Sequence, residues 1–310
     1  MRGIVTKSTG SWYEVECEDG LSLKCRLRGR LRLEGVRTTN PLAVGDIVTL
    51  EYEGAADAGM GVITALEPRR NYIIRRSTNL SKESHIIAAN IDTLFLVATL
   101  DFPPVSLEFI DRFLVTARVY HVPVTIVLNK MDMFDDERFR PFVDNFRSIY
   151  ERAGYRVVEC SAREGRGTDV IKEMMKGGVS LFSGNSGVGK STLINAVAPH
   201  VQARVGDISA AHFKGRHTTT FSEMFKLPEG GYIIDTPGIK GFGLIDIEPE
   251  EVARYMPDLF ELSAGCRFYN CTHTHEPGCA VKAAVESGDL SEERYSSYLK
   301  MVEKDGKYRS

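Results

Sequence analysis

The stretch VPVTIVLNKMD, residues 122–132, is an apolar run of strand-forming residues that ends in Asn129-Lys130-Met131-Asp132. A short apolar run bounded by polar residues reads as a buried strand. The tetrapeptide has the spacing of a guanine reader. The Asp132 carboxylate can accept from both N1–H and the exocyclic amine of guanine, which adenine does not present in that arrangement. Asn129 can bond the opposite edge of the ring, and the Lys130 stem can lie on its face. Ser161-Ala162-Arg163, after the strand pattern YRVVEC, looks like a second base loop whose backbone N–H reaches O6. The plain alternative for an isolated N-K-x-D is a helix-capping turn, and the second loop weighs against it.

A base reader needs a phosphate site, and the only one comes about fifty residues later. Gly184-Asn185-Ser186-Gly187-Val188-Gly189-Lys190-Ser191, followed by Thr192, fits G-x-x-x-x-G-K-[ST]. It follows an apolar strand and opens a helix, which is the context the motif requires. Its glycines let backbone N–H groups turn towards phosphate oxygens, and the helix N-terminus adds partial positive charge. Lys190 is expected to reach the β- and γ-phosphates, and the Ser191 hydroxyl to hold Mg²⁺. Asp235-Thr236-Pro237-Gly238 ends a later strand. There Asp235 can bind the metal's water shell and the Gly238 N–H can sense a γ-phosphate. Between them lies Gly215-Arg216-His217-Thr218-Thr219-Thr220, where Thr219, with Thr218 close behind, is expected to complete the Mg²⁺ shell.

The order is therefore N-K-M-D, S-A-R, P-loop, H-T-T-T, D-T-P-G. The usual GTPase order starts at the P-loop. The cyclic sequence is the same and only the cut point differs, as a doubly wound sheet permits when old ends are joined and a loop is opened. Strand patterns at 91–100, 122–128, 155–160, 179–184 and 232–236 alternate with helical ones. In the helical stretch 106–120, Leu107, Ile110, Leu114 and Ala117 share one stripe. Such alternation implies an α/β fold, a mostly parallel doubly wound sheet with ligands at the strands' carboxyl ends.

Three regions are expected. Residues 1–68 read as an OB-like β-barrel, 69–245 as a circularly permuted P-loop GTPase domain, and 246–310 as a mostly helical zinc-binding domain. In LSLKCRLR the residues Leu21, Leu23, Cys25 and Leu27 alternate with Ser22, Lys24, Arg26 and Arg28. The basic run continues through Arg30, Arg32 and Arg37 against Glu34 alone, so an RNA-binding face competes with a merely solvated strand. Near the other end, Cys266, Cys271, His273 and Cys279 supply three thiolates and an imidazole within fourteen residues. That is a closed tetrahedral set for one structural Zn²⁺, with His275 as a competing fourth ligand. Cys17, Cys25 and Cys160 fall in strand patterns and are expected to be buried thiols.

A net charge of −3 excludes a polycation that would bind nucleic acid over its whole surface. No apolar run reaches membrane-spanning length, and the N-terminus has no signal core. A cytoplasmic monomer is expected.

The permuted order, the barrel and the Cys/His cluster together resemble the ribosome small subunit-dependent GTPase A family, over nearly the whole chain. The resemblance implies a GTPase that binds the small (30S) ribosomal subunit and its rRNA late in maturation. It would hydrolyse GTP to GDP and phosphate as a switch that the subunit stimulates. It favours His273 over His275 as the fourth zinc ligand. Ile239 stands where many GTPases carry a water-orienting Gln, and His217 is the local candidate for that work; the resemblance points to the same residue. Two other classes compete. A P-loop enzyme acting on a small substrate would have little use for a guanine reader. A zinc-dependent nucleic-acid module with structural GTP would have little use for Thr218, Thr219 and DTPG.

Overall fold

The computed structural model describes residues 1–28, 41–52, 60–76, 84–201, 222–235 and 247–304. The N-terminal strands are β1 (Arg2–Ser8), β2 (Tyr13–Cys17), β3 (Ser22–Leu27), β4 (Ile47–Tyr52) and β5 (Met60–Leu66). β1 pairs with β2 and β4, β2 with β3, β3 with β5, and β5 with β4, which closes a five-stranded barrel. Alternation, broken by irregularities after Val5 and Thr49, fills it: Val5, Val15, Cys25, Val48, Leu50 and Ile63 are fully buried. One expectation fails. Leu21 is 51% exposed, because it belongs to the turn before β3 and its carbonyl accepts from Cys17 N–H.

The barrel leads into a hairpin, β6 (Tyr72–Arg76) with β7 (Ser84–Ala89), which the sequence pattern did not reveal. The main sheet follows with β8 (Thr93–Ala98), α1 (Leu107–Val119), β9 (Val124–Leu128), α2 (Arg140–Arg152) and β10 (Arg156–Glu159). It continues through α3 (Thr168–Met175), β11 (Val179–Ser183), α4 (Lys190–Val197), β12 (Glu223–Lys226) and β13 (Tyr232–Asp235). Strand order is β10-β9-β8-β11-β13-β12, parallel except for β12. The chain winds from β8 outward to β10, then crosses back to β11. Right-handed crossovers therefore put α1 and α2 on one face and α3 and α4 on the other. The topological switch point lies between β8 and β11, where a ligand crevice is expected. Ser106 caps α1, its hydroxyl accepting from Phe109 N–H at 3.2 Å.

β12 also pairs with β1, at Lys7 opposite Glu223, so barrel and parallel sheet run on as one eleven-stranded sheet. Two asparagines complete the joint. Asn71 exchanges side-chain bonds with Ile91 N–H and C=O at 2.7 and 2.8 Å, taking the place of a strand neighbour. Asn90 accepts from Arg70 N–H and donates to the Gly45 carbonyl.

The C-terminal region holds a 3-10 turn (Pro249–Tyr255), α5 (Pro257–Ser263), α6 (Ala280–Ser287) and α7 (Glu292–Lys304). Val252, Met256, Leu259, Val281, Tyr298 and Met301 form its core, and Val115 of α1 joins them. At the same seam Arg294 of α7 is only 1% exposed. It donates to Asp111 of α1 at 2.6 Å and grips Asp258 of α5 with two bonds of 2.7 and 2.9 Å. Among the described residues no helix is long and apolar enough to cross a membrane.

Candidate nucleotide site and metal cluster

The candidate base-reading loop follows β9 and the candidate second base loop follows β10, so parallel pairing of these neighbours brings the two together. Met131 N–H donates to Cys160 C=O, tying the loops by backbone. The Ser161 hydroxyl, fully buried, lies 2.7 Å from an Asp132 oxygen and accepts from Glu164 N–H. One carboxylate oxygen is thus fixed and the plane of the group is set.

Asn129 is buried, and both ends of its amide are engaged. Its Nδ2 donates to the Val188 carbonyl at 2.9 Å, and its Oδ1 accepts from Ala162 N–H at 3.1 Å. Beside the ring-edge role that the sequence reading gives this side chain, the structure places it as a clamp between the phosphate loop and the second base loop. Lys130 has φ +65° and its ammonium donates to the Phe102 carbonyl. Asn129, Lys130, Asp132, Met133, Ala162, Arg163, Gly189 and Thr192 line one cavity. Met131 turns into the core instead.

Gly184-Asn185-Ser186-Gly187-Val188-Gly189 connects β11 to α4 at the switch point. Gly184 has φ +142°, and a Cβ there would sit 2.2 Å from the Val97 carbonyl oxygen. Gly189 has φ +92°, and a Cβ there would sit 2.5 Å from Asn129 Nδ2. Only glycine lets the loop lie this close to β8 and to the clamp. The Lys190 ammonium curls inside the loop and donates to the Gly184 and Asn185 carbonyls at 2.7 and 2.5 Å. Ser191 and Thr192 are exposed on the first turn of α4. Serine and threonine hydroxyls beside a phosphate loop are the hard oxygen donors that Mg²⁺ prefers.

His217, Thr218, Thr219 and Gly238 lie outside the described residues, as do Arg30, Arg32 and Arg37. Asp235 ends β13, the strand next to the P-loop strand β11. The sequence reading passed over the loop between β8 and α1. Phe102 gives its carbonyl to Lys130, and Pro103 approaches Gly187. The position of this loop at the switch point was the signal for it.

The four sequence-predicted metal ligands converge. Ligand atoms of Cys266, Cys271, His273 and Cys279 all lie within 4.8 Å of one another. Cys266 Sγ is 3.9 Å from Cys279 Sγ, and His273 Nδ1 is 3.6 and 3.5 Å from those two sulfurs. A tetrahedron with standard zinc bond lengths has S–S edges of about 3.8 Å and S–N edges of about 3.6 Å. The donor set therefore fits Zn²⁺ in size as well as chemistry. Burial pushes the His273 imidazole below its ordinary value, towards the neutral form that binds metal. His275 is exposed, with Nδ1 2.9 Å from the Thr274 hydroxyl, and is not part of the cluster. Glu276 braces the cluster's loop. Burial works against its charge, yet the Thr272 hydroxyl and the N–H groups of Thr272 and Thr274 hold the carboxyl down at about 2. From α7, the Tyr295 and Tyr298 hydroxyls donate to the His273 and Thr272 carbonyls.

Known proteins are similar over nearly the whole chain. Residues 66–245 match the family model for the RsgA GTPase, and residues 2–63 match that for the RsgA N-terminal domain. A Bacteroides fragilis protein named small ribosomal subunit biogenesis GTPase RsgA is 53% identical over 100% of this chain and 99% of its own. The Flavobacterium johnsoniae protein of that name is 48% identical, over 98% and 94%. The crystal structure of YjeQ from Thermotoga maritima superposes with a TM-score of 0.80 at 36% identity, covering 99% of each chain. That of YloQ, described as a circularly permuted GTPase, gives 0.78 at 30% identity, covering 100% of this chain and 96% of its own. With the base reader ahead of the phosphate loop, the barrel before both and the Cys/His cluster behind them, the chain belongs to the RsgA GTPase family.

Proposed function

We propose that this protein hydrolyses GTP to GDP and phosphate as a switch gated by the small (30S) ribosomal subunit, late in that subunit's maturation. The observation that carries the nucleotide half is the Asn129 clamp, which sets the base reader at a fixed distance from the phosphate loop. Asp132, held by Ser161, would read guanine, and the Ala162 region would face O6. The backbone of 184–189 and the Lys190 ammonium would hold the phosphates, with Lys190 exchanging its loop carbonyls for phosphate oxygens. Ser191 and Thr219 would hold Mg²⁺, with Thr218 as the alternative to Thr219; the ion supplies neutralisation of phosphate charge. Asp235 and Gly238 would sense the γ-phosphate, and His217 would orient the water. A water-positioning group borne on a switch segment makes intrinsic turnover slow and a partner's stimulation large.

The partner half rests on the names of the relatives and on the barrel's basic face. Lys24 and Arg26 are exposed along β3, with the Lys24 ammonium 4.5 Å over the Trp12 ring; Arg28 follows the strand, exposed but paired with Glu51. Such a face suits rRNA backbone and unpaired bases. Regions 1–68, 69–245 and 246–310 would act as RNA-binding, GTPase and zinc-braced modules of a cytoplasmic monomer.

The test is steady-state hydrolysis of GTP and ATP by the purified protein, with small subunits, with large subunits, and alone. Slow turnover of GTP only, raised many-fold by small subunits, is expected. Rapid turnover indifferent to ribosomes would sink the gating and return a small-substrate P-loop enzyme to consideration. His217→Ala is expected to abolish the stimulated rate while leaving GTP affinity in place.

A further inference from the structure

Three consecutive side chains between two metal ligands, Arg267, Phe268 and Tyr269, take no part in the cluster or in any core. Tyr269 is 103% exposed and Phe268 is 40% exposed. The Arg267 guanidinium carbon lies 5.5 Å from the Phe268 ring centre. The turn that carries them is held at both ends. Cys266 and Cys271 are ligands, Cys271 N–H donates to Phe268 C=O, and Arg267 N–H donates to Gly278 C=O. The Arg267 stem also rests on Gly278, where a Cβ would come within 3.2 Å of it. Two aromatic rings are thus presented to water on a backbone that a bound metal would make rigid. The ordering cost of a binding surface is met in advance.

We propose that this turn is a stacking platform for an unpaired RNA base, a second nucleic-acid contact separate from the barrel. Charge selects the occupant. Arg267 is the only charged side chain among residues 264–273, so the platform is cationic with no carboxylate on it. Glu276, on the same metal-binding loop, spends its oxygens on Thr272, Thr274 and His275. Aromatic faces flanked by guanidinium are the surface on which splayed bases stack, and they tolerate any base because each has a π-face. A hydrophobic protein partner would bury the same rings but leave Arg267 without a counter-charge.

The inference rests on the proposed ribosomal partner and can fail separately from it. The full-length zinc-loaded protein and its Tyr269→Ala and Tyr269→Phe variants would be titrated with purified small subunits. The same set would be titrated with a fluorescein-labelled single-stranded RNA of mixed sequence and with its duplex. Zinc content, measured on each variant, reports that the turn is intact. Tyr269→Ala is expected to weaken single-strand and small-subunit binding by roughly tenfold. Tyr269→Phe should retain it, and duplex binding should not respond. Small-subunit binding unchanged in Tyr269→Ala would overturn the platform while leaving the ribosomal partner standing. Binding of single strands but not of subunits, with the same Tyr269 dependence, would support the platform and remove the ribosomal partner. A photo-crosslinker at position 269 that labels ribosomal protein and not RNA would also overturn it.

Discussion

The barrel and the C-terminal region are both fastened to the central sheet, by different balances of chemistry. The barrel is joined mostly through main chain, helped by the Asn90 side chain and by a buried ion pair of Arg69 with Asp46. β1 extends the sheet at β12, Ala89 N–H donates to Val44 C=O, and Asn90 reaches the Gly45 carbonyl. The side chains that cross between β1–β2 and β12, Lys7 to Glu223 and Lys226 to Glu16, are partly or largely exposed. The C-terminal region is joined through side chains. Arg294 is shared between Asp111 and Asp258 out of water, and apolar residues of α1 and α7 pack around it. A main-chain joint tolerates changes of side chain but not of backbone room. A buried ionic joint is sensitive to a single atom of charge, because an unpaired ion out of water is costly.

The largest expected effect is on the metal. Structural zinc contributes about 10–16 kcal/mol in small folds, comparable with the whole stability of a domain. A chelator should therefore make residues 247–304 protease-sensitive while the barrel stays resistant. Equal resistance throughout would mean that the cluster is not a staple. Next comes Arg294→Met, which leaves Asp111 and Asp258 without their cation. It should cost about 3–5 kcal/mol in urea unfolding, and adding Asp111→Leu and Asp258→Leu should recover most of it. A triple variant no better than the single would show that packing, not charge, makes the joint. Third is Gly45→Ala. Gly45 has φ +87°, and its new Cβ would lie 2.0 Å from the Ala89 carbonyl oxygen. A loss of about 1–3 kcal/mol is expected, with faster hydrogen exchange at Ala89. An unchanged exchange rate would break the contrast, since this joint is supposed to depend on backbone fit. Smallest is Lys7→Ala with Lys226→Ala, for which no shift in the urea midpoint beyond error is expected, as for most exposed ion pairs.

Local spacing made the site legible. The P-loop and N-K-M-D are short motifs whose residues the fold brings together, and the strand patterns around them fell on β8, β9, β10, β11 and β13. What the sequence concealed depends on distant partners. Asp111 reads as a polar residue on an amphipathic helix, because the arginine that makes it a core residue lies 183 positions away. Asn129 reads only as a base contact, and its part as a clamp stays hidden because the carbonyl it holds lies 59 positions on. The four residues of β12 carry too little pattern to announce a strand, and only two neighbours, β13 and β1, define them. Leu21 followed the alternation by one residue too many because turns and strands share apolar residues at their borders.

The Asn129 clamp also has a consequence in time. In this permuted chain the reader of the base leaves the synthesising ribosome before the carbonyl that steadies it. At about 5–20 residues per second, the 59 residues to Val188 take roughly 3–12 s. For that interval the nascent guanine pocket has a floor and no far wall. A chain arrested short of residue 188 should retain no GTP, so nucleotide capture comes only after the base-reading half of the sheet has already formed.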